Sequence, residues 1–194
     1  MTIPAEALAE RLSTIREETC AALLRALATS LNDGAEVEAE PIHRAPDGAV
    51  LREGRLDLPR RGDLAVTRDG RTLVRQIESP PAQDFKPFVA FSDTDFSAEI
   101  QPFSWDHAVL DMRTAQAQPS WTAFRHWYLE WFQSRPTDLS PELAGAIHRL
   151  QGPWRAPGRW RAILDLGSAP TACIAVLIAA ISQSGCARLR IGGE

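Results

Sequence analysis

The end of the chain constrains the fold most. Trp160–Leu166 and Ala187–Ile191 are apolar runs of strand length. Between them, Pro170–Gln183 carries Ile174, Val176, Leu177, Ile178 and Ile181 around much of a helical circumference. A helix that is apolar on several sides has to be covered, and a strand–helix–strand unit of this size could hardly fold alone. It therefore joins strands formed earlier in the chain. The two strands are expected to run parallel, with a right-handed crossover if they are neighbours in one sheet.

Those earlier strands can be read from the middle of the sequence. Glu36–His43 alternates in polarity, and Asp47-Gly48 marks a turn before Ala49–Leu58. A clearer hairpin joins Leu64–Thr67 to Thr72–Ile77 through Asp69-Gly70. After Pro80-Pro81, Phe88–Phe91 and Phe96–Ile100 resume the pattern, with Phe96, Ala98 and Ile100 on one face. Helices flank these strands. Residues 4–31 place Leu8, Leu12, Ile15, Leu23, Leu27 and Leu31 on one stripe, with Pro4 in the first turn and Asn32-Asp33-Gly34 as the stop. Further helices are predicted from Ser104 (Trp105, Val109 and Met112 inward), from Ser120 to about Ser134 before Pro136, and from Ser140-Pro141-Glu142 to Gly152-Pro153. The reading is a single α+β domain over 1–194: an N-terminal helix, antiparallel hairpins in a mixed sheet packed by aromatic helices, and a C-terminal strand–helix–strand. Any subdivision falls near 113–119.

Composition excludes several classes. With 44% hydrophobic and 24% charged residues, the 194-residue chain reads as an ordinary globular protein. A net charge of −4 argues against nucleic acid as a partner. Lys86 is the single lysine, and the arginines are scattered along the sequence, as a GC-rich bacterial genome would produce. Cys20, Cys173 and Cys186 form no disulfide framework. Met1–Glu6 has no leader character, and the longest apolar run, Ala172–Ile181, is about half a membrane span. No membrane partner is expected, and the default location is cytoplasmic.

One motif carries chemistry. Ile163-Leu164-Asp165-Leu166-Gly167-Ser168-Ala169-Pro170-Thr171 is an apolar strand, an acidic residue, a glycine-bearing turn and a helix start. It resembles the first nucleotide-binding motif of S-adenosylmethionine-dependent methyltransferases. That resemblance implies a ligand held by Asp165, Gly167, Ser168 and Thr171 at a helix N-terminus, with Glu194 as the acidic residue after the second strand. The chain departs from the motif where Thr171 replaces the final glycine and Pro170 removes a backbone donor. The plainer reading is a turn with a helix-starting proline, and no cofactor is expected.

The helix at 120–134 carries Trp121, Phe124, Trp127, Tyr128, Trp131 and Phe132, a wider aromatic band than one sheet face normally covers. Trp121, Trp127, Tyr128 and Trp131 are therefore candidate contacts for a protein partner or a second copy. Of the histidines, His43, His107, His126 and His148, none stands at metal-ligand spacing, so no metal site is expected. Asp106-His107 are adjacent and point apart on a regular element, and Asp93-Thr94-Asp95 reads as turn chemistry. Asp63 and Glu78 bracket the second hairpin as nuclease carboxylates sometimes do, without the accompanying lysine. No nucleophile elbow or phosphate loop is present. The functional expectation is a non-catalytic interaction or assembly protein. The alternative is a small-molecule or nucleotide-type ligand binder or enzyme using the Gly167–Thr171 turn with Asp165, His107 or His126.

Overall fold

The structure is a computed structural model that describes residues 2–78, 80–114, 116, 118–135 and 138–193. In chain order its elements are α1 (Ala5–Asn32), β1 (Glu36–Ala39), β2 (Arg52–Glu53), β3 (Leu58–Pro59), β4 (Leu64–Arg68), β5 (Arg71–Arg75), β6 (Phe88–Ser92), β7 (Ser97–Ile100), β8 (Ala108–Thr114), α2 (Thr122–Trp131), β9 (Arg149–Ala156), β10 (Arg159–Asp165), α3 (Ala172–Gln183) and β11 (Cys186–Gly192). It is an α+β fold. The main sheet has the order β6-β7-β11-β8-β10-β9, and a smaller sheet has the order β1-β4-β5. Strand β8 is antiparallel to both β10 and β11. The two strands of the C-terminal unit therefore run parallel, as the sequence suggests, but with β8 inserted between them.

Alternation along the strands separates the two faces of the main sheet. Ala98, Ile100, Leu110, Met112, Ala162, Leu164, Leu189 and Ile191 are almost fully buried on the helix side. There α3 packs against both α1 and α2. Ile174, Leu177 and Ile181 of α3 are enclosed, whereas Val176 is 41% exposed, so the helix has one open side. The smaller sheet lies on the C-terminal part of α1, where Leu27, Ala35, Leu64 and Val66 form a second cluster. Asp69-Gly70 makes the predicted hairpin turn, both residues at positive φ.

Two predicted helices are absent. The segment from Ser104 becomes β8, in which Met112 faces the helices while Asp111 lies on the opposite face against arginines. A short apolar run fits both periods, and burial on both sides of a central strand removes the polar alternation that would distinguish them. The segment from Ser140 makes only a turn and then runs extended into β9. Gly145 has φ +63 and lies so close to Arg135 that a Cβ would sit 2.5 Å from its carbonyl oxygen, and the Ala144 N–H is taken by Glu40. The predicted stop at Gly152-Pro153 lies inside β9, an edge strand, where proline is tolerated. The proposed ends at Pro136 and Glu194 fall outside the described residues, as do Ala115 and Ala117 of the 113–119 connection.

Candidate functional site

Three carboxylates distant in sequence, Glu40, Asp63 and Asp165, meet at His148. It precedes β9, and its main chain is fixed from both sides. Its N–H donates to Asp165 O at 3.1 Å, and its carbonyl accepts the Arg61 N–H at 2.8 Å. The Tyr128 hydroxyl on α2 donates to Pro59 O at 2.7 Å and lies 3.2 Å from the His148 carbonyl. The imidazole, 1% exposed, is held between carboxylates: Nε2 is 2.6 Å from Glu40 Oε1, and Nδ1 is 3.0 Å from Asp63 Oδ1 and 3.7 Å from Asp165 Oδ2.

Glu40 anchors this arrangement. It follows β1 with φ +51, a left-handed conformation that costs a non-glycine residue about 1 kcal/mol or more. Its carboxylate is fully buried and accepts from the Ser168 N–H at 3.1 Å, the Ser168 hydroxyl at 2.7 Å and the Ala144 N–H. The Ser168 hydroxyl in turn accepts from the Gly145 N–H at 2.8 Å. Two buried arginines brace the shell from behind. Arg16 of α1 reaches the Ser168 carbonyl, and Arg61 donates to the Glu40 carbonyl at 2.7 Å. Burial opposes the charge on Glu40, yet its hydrogen bonds and the imidazole charge hold its carboxyl below the usual carboxylate range. Burial likewise opposes charge on His148, but Asp165, Asp63 and Glu40 overcome it and raise the imidazole well above its usual value. With Nε2 facing Glu40, the Nδ1 lone pair would otherwise point at two aspartates. That position requires a positive charge, either a proton or a cation.

Asp63, Asp165 and His148 form part of the lining of a pocket of about 290 Å³. Their donor atoms, one from each, lie within 4.8 Å of one another. Asp63 is fixed further by the Ile77 N–H at 2.7 Å, and Asp165 by the Gly167 N–H at 3.0 Å. Arg60 and Arg149 both bind Glu53, in a wall that also carries Arg61 and the carboxylates of Asp63, Asp106 and Asp165. His43 also lines the pocket. Burial and the charges of Arg60 and Arg149 lower its pKa, and its Nε2 is buried without a hydrogen-bond partner among the described residues.

Asp165 and Gly167 of the sequence motif face this pocket, Ser168 lies beneath it, and Thr171 starts α3 outside the lining. The donors of the turn are occupied internally, Ser168 N–H by Glu40 and Gly167 N–H by Asp165. Asp106 and His107 line the pocket together, because they sit in an irregular turn before β8 rather than on a helix. Asp93 caps its own turn through the Asp95 and Phe96 N–H groups, Glu78 is exposed, and His126 lies on the outer side of α2. The four aromatic candidates are core residues: Trp121 is 8% exposed, Trp127 2%, Tyr128 0% and Trp131 8%. Glu40 was not singled out by sequence reasoning, and neither was the convergence of Asp63, His148 and Asp165. Asp63, His148 and Asp165, which show no metal-ligand spacing in the sequence, are brought together from three separate segments. Compared with known proteins, the chain matches no family model, no curated protein and no solved structure, so the reading of its function rests on this geometry.

Proposed function

We propose that this protein is an enzyme dependent on a divalent cation, bound by Asp63, Asp165 and His148 Nδ1, that acts on an anionic substrate in the pocket beside Gly167. The observation carrying this reading is the Glu40–His148–Asp63/Asp165 arrangement, with the far ring nitrogen on a buried carboxylate and the near one among two acceptors. That is the relation by which metal-binding histidines are oriented. Bonds of about 2.0–2.2 Å place neighbouring ligands roughly 3–3.5 Å apart. The Asp63–His148 pair stands at that separation, and Asp165 needs only to swing inward. Two carboxylates and one imidazole suit Mn²⁺ or a similar ion, with positions left for water and substrate. His43, whose pKa is lowered by burial and by Arg60 and Arg149, would act as the base towards water held by the cation, and the cation with Arg60, Arg61 and Arg149 would outweigh Asp63, Asp106 and Asp165 and favour an anionic substrate.

Calorimetric and paramagnetic titration with Mn²⁺ tests the reading. The expected dissociation constant is about 10–100 μM, weakened by roughly tenfold or more in Asp63→Asn and Asp165→Asn. No binding by the folded wild-type protein at about 1 mM Mn²⁺, some −4 kcal/mol, overturns it.

A further inference from the structure

Five of the twenty arginines scattered through the sequence gather on the outer face of the main sheet. Cross-strand pairing places Glu99 (β7), Arg190 (β11), Asp111 (β8), Arg161 (β10) and Trp154 (β9) in one row. Asp111 lies beneath three guanidinium groups. Arg159 Nε is 2.9 Å and Arg161 Nε 3.0 Å from its carboxylate, and Arg190 also bonds it, while the carboxylate itself is only 7% exposed. Arg188 pairs directly with Arg113 on the next strand, and both are exposed. Arg159, Arg161 and Arg190 are half-buried over Asp111, Arg188 pairs with Glu99 at 2.9 Å and Arg113 is exposed, so five arginines stand against two carboxylates. This positive field sits on a chain whose total charge is −4.

Trp154 adds a second, independent feature. It is 38% exposed, and the edge of its ring covers Gly152, where a Cβ would lie 2.7 Å from a ring carbon. The glycine lets an otherwise exposed aromatic settle on the sheet at the end of the arginine row.

From this face we infer that the outer surface of β8, β10 and β11 binds single-stranded nucleic acid, with the guanidinium groups on successive phosphates and Trp154 stacking a base. A flat array of arginines ending in a supported aromatic is the combination that such ligands use. An acidic polypeptide would satisfy the charge but has no use for the stacking surface. Along β10 the outward positions continue from Arg161 through Ile163 to Asp165, so a bound strand would run towards the pocket. The binding itself rests on the arginine face and not on the metal reading.

Fluorescence anisotropy of a labelled oligothymidylate of about twelve nucleotides, measured with chelator present, separates the two. With three to four phosphates neutralised, affinity should fall roughly 20- to 50-fold between about 50 and about 200 mM salt. Arg113→Gln with Arg188→Gln, both at exposed positions, should flatten that salt slope by about 1.4. Trp154→Ala should weaken binding about tenfold and remove part of the tryptophan quenching. All variants are to be checked for a native thermal melt. Absence of an anisotropy change at low salt overturns the inference. So does equal competition by polyglutamate combined with indifference to Trp154→Ala, which would assign the face to an acidic protein.

Discussion

At the scale of single residues, the site depends on backbone positions that tolerate no substitute. Gly167 has φ +53, and a Cβ there would meet the His148 ring and lie 2.6 Å from Ala146 O. Gly167→Ala should therefore cost ~2 kcal/mol or more, because the backbone carbonyl cannot move aside as a flexible side chain would. Urea denaturation measures it, and a change below about half a kcal/mol would mean that the turn is free to shift. Glu40 presents the complementary case. Its strained φ persists because five polar contacts fix the side chain in place. Glu40→Gln keeps the shape but takes the carboxylate from Nε2 of the buried imidazolium and leaves only Asp63 and Asp165 beside Nδ1, so a loss of ~2–3 kcal/mol is expected. A nearly neutral effect would show that the imidazole does not carry its charge against Glu40.

At the scale of elements, α2 is the case in which sequence and structure assign the same residues to different work. Its aromatics, candidate partner contacts in the sequence, are buried in the main core, and two of them also brace neighbouring segments. Trp127 donates from Nε1 to Cys173 O at 2.9 Å and stacks on Phe124, and Tyr128 supports the segment that carries His148. Trp127→Ala should cost ~3–5 kcal/mol without altering sedimentation; an unchanged melt with altered association would restore the helix as an interface. The elements themselves were legible wherever a period was unambiguous: α1, the Asp69-Gly70 hairpin, α2 and the terminal strand–helix–strand. They were not legible at β8 and β9, where tertiary partners, arginines for Asp111 and Glu40 for Ala144, override the local pattern. The site was half legible. The Asp165–Ser168 turn stands out as a motif, whereas Glu40, Asp63 and His148 are joined only by folding and leave no spacing to detect. The outer face of the sheet also yields a pH test. Burial opposes ionisation of Asp111, but Arg161, Arg190 and Arg159 hold its carboxyl below the usual range. A depressed pKa contributes stability that is present above the unfolded value, near 4, and lost as pH falls through the folded one. Asp111→Asn should then cost ~1–3 kcal/mol at neutral pH, with the gap to wild type closing in acid. A gap that stays constant down to the acid limit would remove the carboxylate's charge from the explanation.

At the scale of the whole molecule, the site lies across the join between two packing units. Glu40 and Asp63 flank β1 and β4 of the smaller sheet, whereas His148 and Asp165 belong to the main sheet. Helix α1 spans both: Leu8, Leu12 and Ile15 enter the main core, while Leu27 enters the cluster with Leu64 and Val66. If the metal ligands are to keep their separations, these units have to unfold together. The tryptophans allow this to be checked, since Trp105, Trp121, Trp127, Trp131 and Trp160 all lie in the main core. Leu27→Ala removes packing only from the small cluster and should cost ~2–3 kcal/mol, or roughly 5–10 °C for a chain of this size. In one cooperative unit, tryptophan fluorescence must report that full shift even though the substitution lies in the other cluster, and it must coincide with far-ultraviolet circular dichroism. A fluorescence transition left at the wild-type temperature, beside an earlier loss of ellipticity, would divide the chain into two units. It would also leave Glu40 and Asp63 free to separate from His148 while the main sheet stayed folded, and a metal site with one of its three ligands, Asp63, on the less stable unit would then bind only as tightly as that unit's own stability allows.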